Sequence, residues 1–220
     1  MPDGTPCASR DILFAMNKNR LEALSDGVFS IVMTLLVFQI SVPVLSAPTD
    51  TTLIMSLRSL IPLFLSYFTT FAVLTMFWIS HNFFYGSFTK EINRTLVLLN
   101  MVYLSFLTLI PFSARLLGEY GTFKVAAFAY GLNVLIIGLI ATTVLHYAIY
   151  SNEIDVSHIS ERLLMQARIR SLLTPVFTLV GILVATVSVT GALFFFAFPI
   201  VFNMIPGTLN FAERMFGLEF

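Results

Sequence analysis

The sequence predicts an all-α integral membrane protein, on three observations. Of its 220 residues, 57% are hydrophobic and only 11% are charged, whereas an ordinary soluble domain is about one-quarter charged. Mean hydropathy is +0.89. The apolar residues also come in runs of membrane length. A helix needs about 20 residues to cross about 30 Å of hydrocarbon at about 1.5 Å per residue. Five stretches without Asp, Glu, Lys or Arg reach that length: Gly27–Thr49, Ser59–Thr89, Thr95–Ala114, Val125–Asn152 and Ser171–Ala212, of 23, 31, 20, 28 and 42 residues.

The last stretch would be roughly 60 Å long as one helix, twice the bilayer core. A break near Thr190-Gly191 is expected, since glycine weakens a helix interior, and six spans result. The connections are short and polar: Ser46 to Asp50, Lys90 to Arg94, and Leu117 to Gly121. Ser151 to Arg170 links spans four and five and has room for a short surface helix. Its carboxylates Glu153, Asp155 and Glu161 read as solvated. Pro62, Pro111, Pro175 and Pro199 are positioned to kink their helices.

Sidedness follows from the Lys/Arg bias. With the N-terminus inside, inner segments hold nine basic residues (Arg10, Lys18, Arg20, Lys90, Arg94, Arg162, Arg168, Arg170 and Arg214), and outer segments hold three (Arg58, Arg115 and Lys124). Both termini are therefore expected in the cytoplasm. Residues 1–19 lack the apolar core of a cleavable signal, so span one is expected to insert as an uncleaved anchor. The organisation is then a tail over 1–19, one membrane domain over 20–212 and a tail over 213–220.

Several chemistries are excluded. Twelve basic residues balance twelve acidic ones, so no global field recruits nucleic acid. Cys7 stands alone and permits neither an internal disulfide nor a cysteine metal site. His81 has no second His or Cys at ligand spacing, so no metal is expected. Phosphate-loop, zinc-protease and hydrolase-elbow motifs are missing. So are a TVGYG-type filter and a voltage-sensor arginine repeat. No cofactor is expected.

What remains is a set of polar residues at membrane depth, where a central charge costs about 2.5–3.5 kcal/mol on insertion scales. Span one opens with Arg20-Leu21-Glu22-Ala23-Leu24-Ser25-Asp26. These residues are either an ordinary helix start, with acids near its positive end, or a buried polar anchor. Arg20 and Asp26 are six apart, about 240° around the helix, so Arg20 must find a partner on another helix or another subunit. Span two ends with Trp78, His81 and Asn82 at i, i+3 and i+4, on one face. That face suits either an interfacial belt or the partner of the span-one cluster. Both lie at the same membrane level, and Asn100 in span three is placed to join them. A stripe on span one, Gly27, Ile31, Thr34, Leu35 and Phe38, falls on one face. It serves either a helix–helix contact or a pore wall.

Arg20 to Asp26, followed by Gly27-Val28-Phe29-Ser30-Ile31 and Thr34-Leu35-Leu36, resembles the first-helix signature R-x-x-x-F-S-D of the transmembrane protein 175 family of potassium channels. Trp78-Ile79-Ser80-His81 resembles that family's Trp-x-x-His at the end of the second helix. Leu24 stands where the signature has Phe, and Asn82 where a second histidine is often seen. The resemblance implies a prokaryotic single-repeat member in the cell membrane. It implies a homotetramer with the first helix of each subunit lining a central pore. The hydrophobic constriction would be Ile31, with Thr34, Leu35 and Phe38 in further layers. Arg20, Ser25, Asp26, Trp78, His81 and Asn82 would form a structural polar network, with Arg20 held by the His81/Asn82 region. The permeant ion would be K⁺, passing without a carbonyl filter. The alternative is a proton-coupled secondary transporter using Asp26 and His81.

Overall fold

The computed structural model describes residues 17–89, 92–151, 154 and 159–204. Eight α-helices account for most of them: α1 Lys18–Leu35, α2 Asp50–Ser59, α3 Ile61–Phe88, α4 Arg94–Leu107, α5 Ile110–Glu119, α6 Lys124–Tyr150, α7 Glu161–Ala185 and α8 Val189–Met204. Among the described residues, five helical segments are long and apolar enough to cross a membrane: Lys18–Gln39, Ile61–Gly86, Arg94–Glu119, Lys124–Tyr150 and Glu161–Ala185. The chain is therefore an all-helical membrane protein. The sixth apolar helix, α8, has 16 described residues, fewer than the roughly 20 a perpendicular crossing requires. Cys7, Arg10, Lys90, Glu91, Glu153, Asp155, Arg214 and the tail 213–220 lie outside the described residues.

The boundaries differ from the charge-free stretches in instructive ways. Span one does not run over Gly27–Thr49. Its α-helix begins at Lys18, where the Asn17 side chain accepts from the Asn19 amide, and a 3-10 turn, Leu36–Gln39, ends it. Charges are tolerated in the first turns because Lys18 pairs with Glu22 at 3.8 Å and donates to the Thr89 carbonyl at 2.8 Å. Pro43 and Pro48 keep the following segment out of the helical region. Between the Ser46 to Asp50 connection and the stretch that starts at Ser59, where no element was expected, the chain forms α2. Thr49 and Thr52 cap it reciprocally, side chain to backbone in both directions, which is the capping-box geometry with threonine in place of Glu or Gln. The charged half of the link before span five is also helical: α7 starts at Glu161, capped by Ser160.

The break in the last stretch comes earlier than Thr190-Gly191. α7 ends at Ala185, and Thr186, Val187 and Ser188 make the turn. Ser188 Oγ accepts from the Gly191 amide, so a serine cap restarts the helix and Gly191 lies within its first turn. Span three is two stacked helices: α4 ends at Leu107, and Pro111 sits in the first turn of α5. Proline is tolerated at that point because its missing N–H would have had no partner there. Pro62 likewise starts α3 rather than kinking it.

Two apolar clusters fix the up-and-down arrangement. Leu21, Tyr85, Leu96, Leu145 and Ala148 pack together, so the start of α1, the end of α3, the start of α4 and the end of α6 share one level. The larger cluster joins Phe29, Leu36, Leu74, Phe77, Leu107, Ile110, Tyr130, Ile137 and Phe196. At the opposite end, Gln39 Nε2 donates to the Pro111 carbonyl at 2.7 Å, and Lys124 Nζ donates to the Thr186 carbonyl.

In lipid, apolar burial does not by itself drive helices together, so close packing and hydrogen bonds must. Phe196 of α8 lies edge-on in a slot between two glycines. A Cβ on Gly131 of α6 would come within 2.7 Å of its ring, and one on Gly181 of α7 within 2.6 Å. Gly181→Ala should therefore destabilise by about 1–3 kcal/mol through overpacking, and Phe196→Ala by about 3–5 kcal/mol through the cavity left. Thermal midpoints of the purified variants in one detergent check this. Gly181→Ala at wild-type stability would mean that the slot is not tight.

Candidate functional site

The polar residues of α1, α3 and α4 form one directional hydrogen-bond chain. His81 Nε2 lies 2.9 Å from Asn100 Oδ1. Asn100 Nδ2 donates to Ser25 Oγ at 3.0 Å, and Ser25 Oγ donates to the Leu21 carbonyl at 2.9 Å. The last acceptor is a carbonyl, which cannot donate, so the direction of every link is set. Ser25 must give its proton to Leu21, the Asn100 amide must give one to Ser25, and Asn100 Oδ1 is left to accept. His81 therefore carries its proton on Nε2, with Nδ1 as a bare acceptor. All three side chains are buried.

The His81 ring is fixed by aromatic neighbours as well. Phe29 meets it edge-on at 5.7 Å, Tyr103 stacks at 5.8 Å and Tyr85 lies at 4.6 Å. Such pairs contribute about 0.5–1.5 kcal/mol beyond area burial. One turn earlier on α3, Trp78 Nε1 donates to Asp26 Oδ1 at 2.9 Å on the exposed side of the same helix pair.

Four of the six expected polar-network residues thus meet: Ser25 and His81 through Asn100, and Asp26 with Trp78. Two do not. Asn82 is half-buried and makes no side-chain hydrogen bond among the described residues. It lies one turn beyond Trp78 while α1 runs the opposite way, so it is level with Glu22, which is already engaged by Lys18 at 3.8 Å. Arg20 is exposed and does not reach His81 or Asn82 within the chain. At about 100° per residue it falls in line with Gly27, Ile31 and Phe38, roughly 140° around the helix from Ser25. Asp26 and His81 also have no hydrogen bond to one another among the described residues. The His81 chain ends at the Leu21 carbonyl and Asp26 pairs with Trp78, so among the described residues the two belong to separate hydrogen-bond groups.

The α1 stripe is exposed throughout its length. Ile31 is 59% accessible, Leu35 45% and Phe38 74%, and Gly27, Ser30 and Thr34 are exposed beside them. Thr34 Oγ1 satisfies itself by donating to the Ile31 carbonyl at 2.8 Å. Buried Leu21, Ser25, Phe29, Val32 and Leu36 form the opposite face. Among the described residues no group of three His, Cys, Asp or Glu is placed to hold a metal ion.

Comparison with known proteins points to the same helices. A family model described as the endosomal/lysosomal potassium channel TMEM175 matches residues 20–111, which include the whole hydrogen-bond chain and the α1 stripe. A potassium channel of Chryseobacterium sp. is 29% identical over 167 residues, 76% of this chain and 82% of that protein. A potassium channel of Chamaesiphon minutus is 38% identical over 101 residues, 46% of this chain and 49% of that protein. The crystal structure of a lysosomal potassium-selective channel TMEM175 homolog from Chamaesiphon minutus matches with a TM-score of 0.75 and 26% identity, over 84% of this chain and 95% of that one. The chain thus spans most of the first relative and about half of the second.

Removing the middle of the hydrogen-bond chain should be the most damaging polar change. Asn100→Leu leaves the His81 N–H and the Ser25 hydroxyl unpaired on one side, at about 1–3 kcal/mol for each buried group. Trp78→Phe removes one exposed hydrogen bond and should cost less than about 1.5 kcal/mol. Thermal midpoints in detergent should rank Asn100→Leu well below Trp78→Phe, and equal midpoints would contradict the chain.

Proposed function

We propose that this chain, which belongs to the TMEM175 family, is a potassium-preferring channel whose pore is walled by α1 of each of four identical subunits. The family and the relatives are channels rather than enzymes. The observation that carries the pore assignment is the composition of the exposed α1 face. Gly27, Ser30 and Thr34 alternate there with Ile31, Leu35 and Phe38, in line with Arg20. A face turned to lipid gains nothing from hydroxyls and a guanidinium, and a face turned to the chain's own core would be buried. A water-filled axis shared by four copies suits it.

On this reading Arg20 finds its partner across a subunit boundary. α8, apolar along its 16 residues, supplies the sixth span. The basic residues of the Lys18 end face the cytoplasm of a prokaryotic cell. The narrowest layer is a ring of four Ile31 side chains. It offers an ion no ligand, so the ion passes only by loosening its own hydration shell. K⁺ holds water less tightly than Na⁺ and meets the lower barrier. The same ring closes the pore whenever water leaves it. Thr34 adds a layer of hydroxyls one turn further on, and Leu35 and Phe38 extend the apolar lining. Selectivity of this kind is modest beside that of a carbonyl filter. A transporter relaying protons between Asp26 and His81 is less well supported, because the two side chains have different hydrogen-bond partners.

Ile31→Asn tests the assignment. Four amides in the narrowest layer would retain water and lower the dehydration cost for every cation. Conductance should rise, and the reversal potential under K⁺/Na⁺ bi-ionic conditions should move toward zero. The purified protein should run as a tetramer by native mass spectrometry. An unchanged reversal potential in folded tetramers would remove Ile31 from the constriction.

A further inference from the structure

The outer surface of α6 and α7 carries a polar cluster that has no part in the pore. His146 and Tyr150 stand at i and i+4 near the end of α6, with ring centroids 4.4 Å apart. Arg168 of α7 places its guanidinium carbon over the Tyr150 ring, 5.1 Å from the centroid. Tyr150 is 61% exposed, His146 is exposed and Arg168 is half-buried.

What packs behind the cluster fixes its position. Val144, Leu145 and Ala148 of α6 turn inward to the apolar cluster around Leu21. At about 100° per residue, His146 and Tyr150 lie on the opposite side of that helix, so they face outward, away from α1. Their level is that of the α1 start, where Leu21 packs with Ala148. Tyr150 is the last residue of α6, a depth at which aromatic side chains mark the boundary between hydrocarbon and headgroups.

Each of the three side chains can donate to an anion, and the guanidinium can do nothing else. Among the described residues no carboxylate pairs with Arg168; the ion pairs there are Lys18 with Glu22 and Arg115 with Glu119. Glu161 shares its face of α7 seven residues earlier, about 10 Å along the helix. Arg168 Nε is buried without a partner, which leaves the two terminal nitrogens for a ligand. Deeper in the membrane the same faces are apolar. Leu139 of α6 and Leu172 and Val176 of α7 are half exposed there, flanking the contact in which Thr142 Oγ1 donates to the Ser171 carbonyl at 2.9 Å.

A polar head over an apolar strip has the layout of a phospholipid. Phosphate oxygens accept parallel N–H bonds from a guanidinium, and acyl chains cover the strip. A zwitterionic head brings its own cation toward Arg168, and the aromatic face that would receive that cation is already taken. We infer that this surface is a binding site for an anionic phospholipid in the leaflet at the Lys18 end of the bundle. Its phosphate is held by Arg168, Tyr150 and His146, and its chains lie along Leu139, Leu172 and Val176.

The test is native mass spectrometry of the full chain in detergent, titrated with phosphatidylglycerol or phosphatidylcholine of identical acyl chains. It counts bound lipids and needs no ion current, so its outcome is independent of the pore assignment. Phosphatidylglycerol should bind roughly fivefold tighter, as one basic side chain at an anionic surface allows. Arg168→Gln should abolish that preference. Tyr150→Leu, at an exposed position that burdens folding least, should reduce it several-fold and serves if Arg168→Gln does not fold. Arg115→Gln, which removes one positive charge at the opposite end of the bundle, should leave it unchanged. Millimolar inorganic phosphate should not displace the lipid, since it brings no acyl chains. Equal affinity for the two lipids would overturn the proposal, and so would an undiminished preference in the folded Arg168 and Tyr150 variants. An equal loss in Arg115→Gln would overturn it by showing that net charge alone attracts the lipid. Displacement by inorganic phosphate would overturn it in favour of a soluble anion.

Discussion

A polar group inside a membrane must find a partner inside the protein, and the chain from His81 through Asn100 and Ser25 to the Leu21 carbonyl is where three helices meet that demand together. Its links span 2.9 to 3.0 Å and its members are buried. None of α1, α3 and α4 can rotate about its axis without leaving a buried donor or acceptor unpaired. An apolar interface tolerates such slippage more readily, because lipid replaces one apolar contact with another at little cost. The chain therefore fixes the rotation of α1. With Ser25 turned inward, Gly27, Ile31, Thr34 and Phe38 must turn outward, and that one consequence gives the outer face its character.

The rest of the bundle serves as a frame for α1. Trp78 holds Asp26 one turn along, Lys18 ties the start of α1 to the end of α3, and Gln39 ties its far end to α5. α6, α7 and α8 lock together around Phe196 through glycines that bring the helices close. That half of the molecule adds close packing to its polar links, such as Thr142 Oγ1 donating to the Ser171 carbonyl at 2.9 Å, while α1 is held by side-chain links to its neighbours.

Much of this was legible in the sequence, for reasons that differ from residue to residue. Charge-free runs located the apolar segments because charges are costly in hydrocarbon. The ends of those segments were less legible. Charges near the interface are tolerated once paired, as Lys18 and Glu22 are, so α1 starts nine residues before its apolar run. α2 has no apolar run of membrane length, and the Thr49/Thr52 box that starts it uses a residue pair outside the usual signature. Among the site residues, Ser25, His81 and Asn100 were recognisable because polar residues at depth need partners, and the helical repeat put Trp78 beside them. Arg20 meets neither His81 nor Asn82 within one chain, because its angular position on α1 turns it to the exposed face.

The central claim is that the outward face of α1 borders water shared by several subunits. Silver ions, close to K⁺ in size and reactive toward thiolates, test it by the helical repeat. In a background with Cys7 replaced by serine, single cysteines at Gly27, Ile31, Thr34 and Phe38 are compared with cysteines at Phe29, Val32 and Leu36. The account predicts rapid, irreversible block of K⁺ current at the first four positions and none at the last three, following the exposure of each face. Block at Phe29, Val32 and Leu36, or its absence at Ile31 and Thr34 in conducting protein, would contradict it.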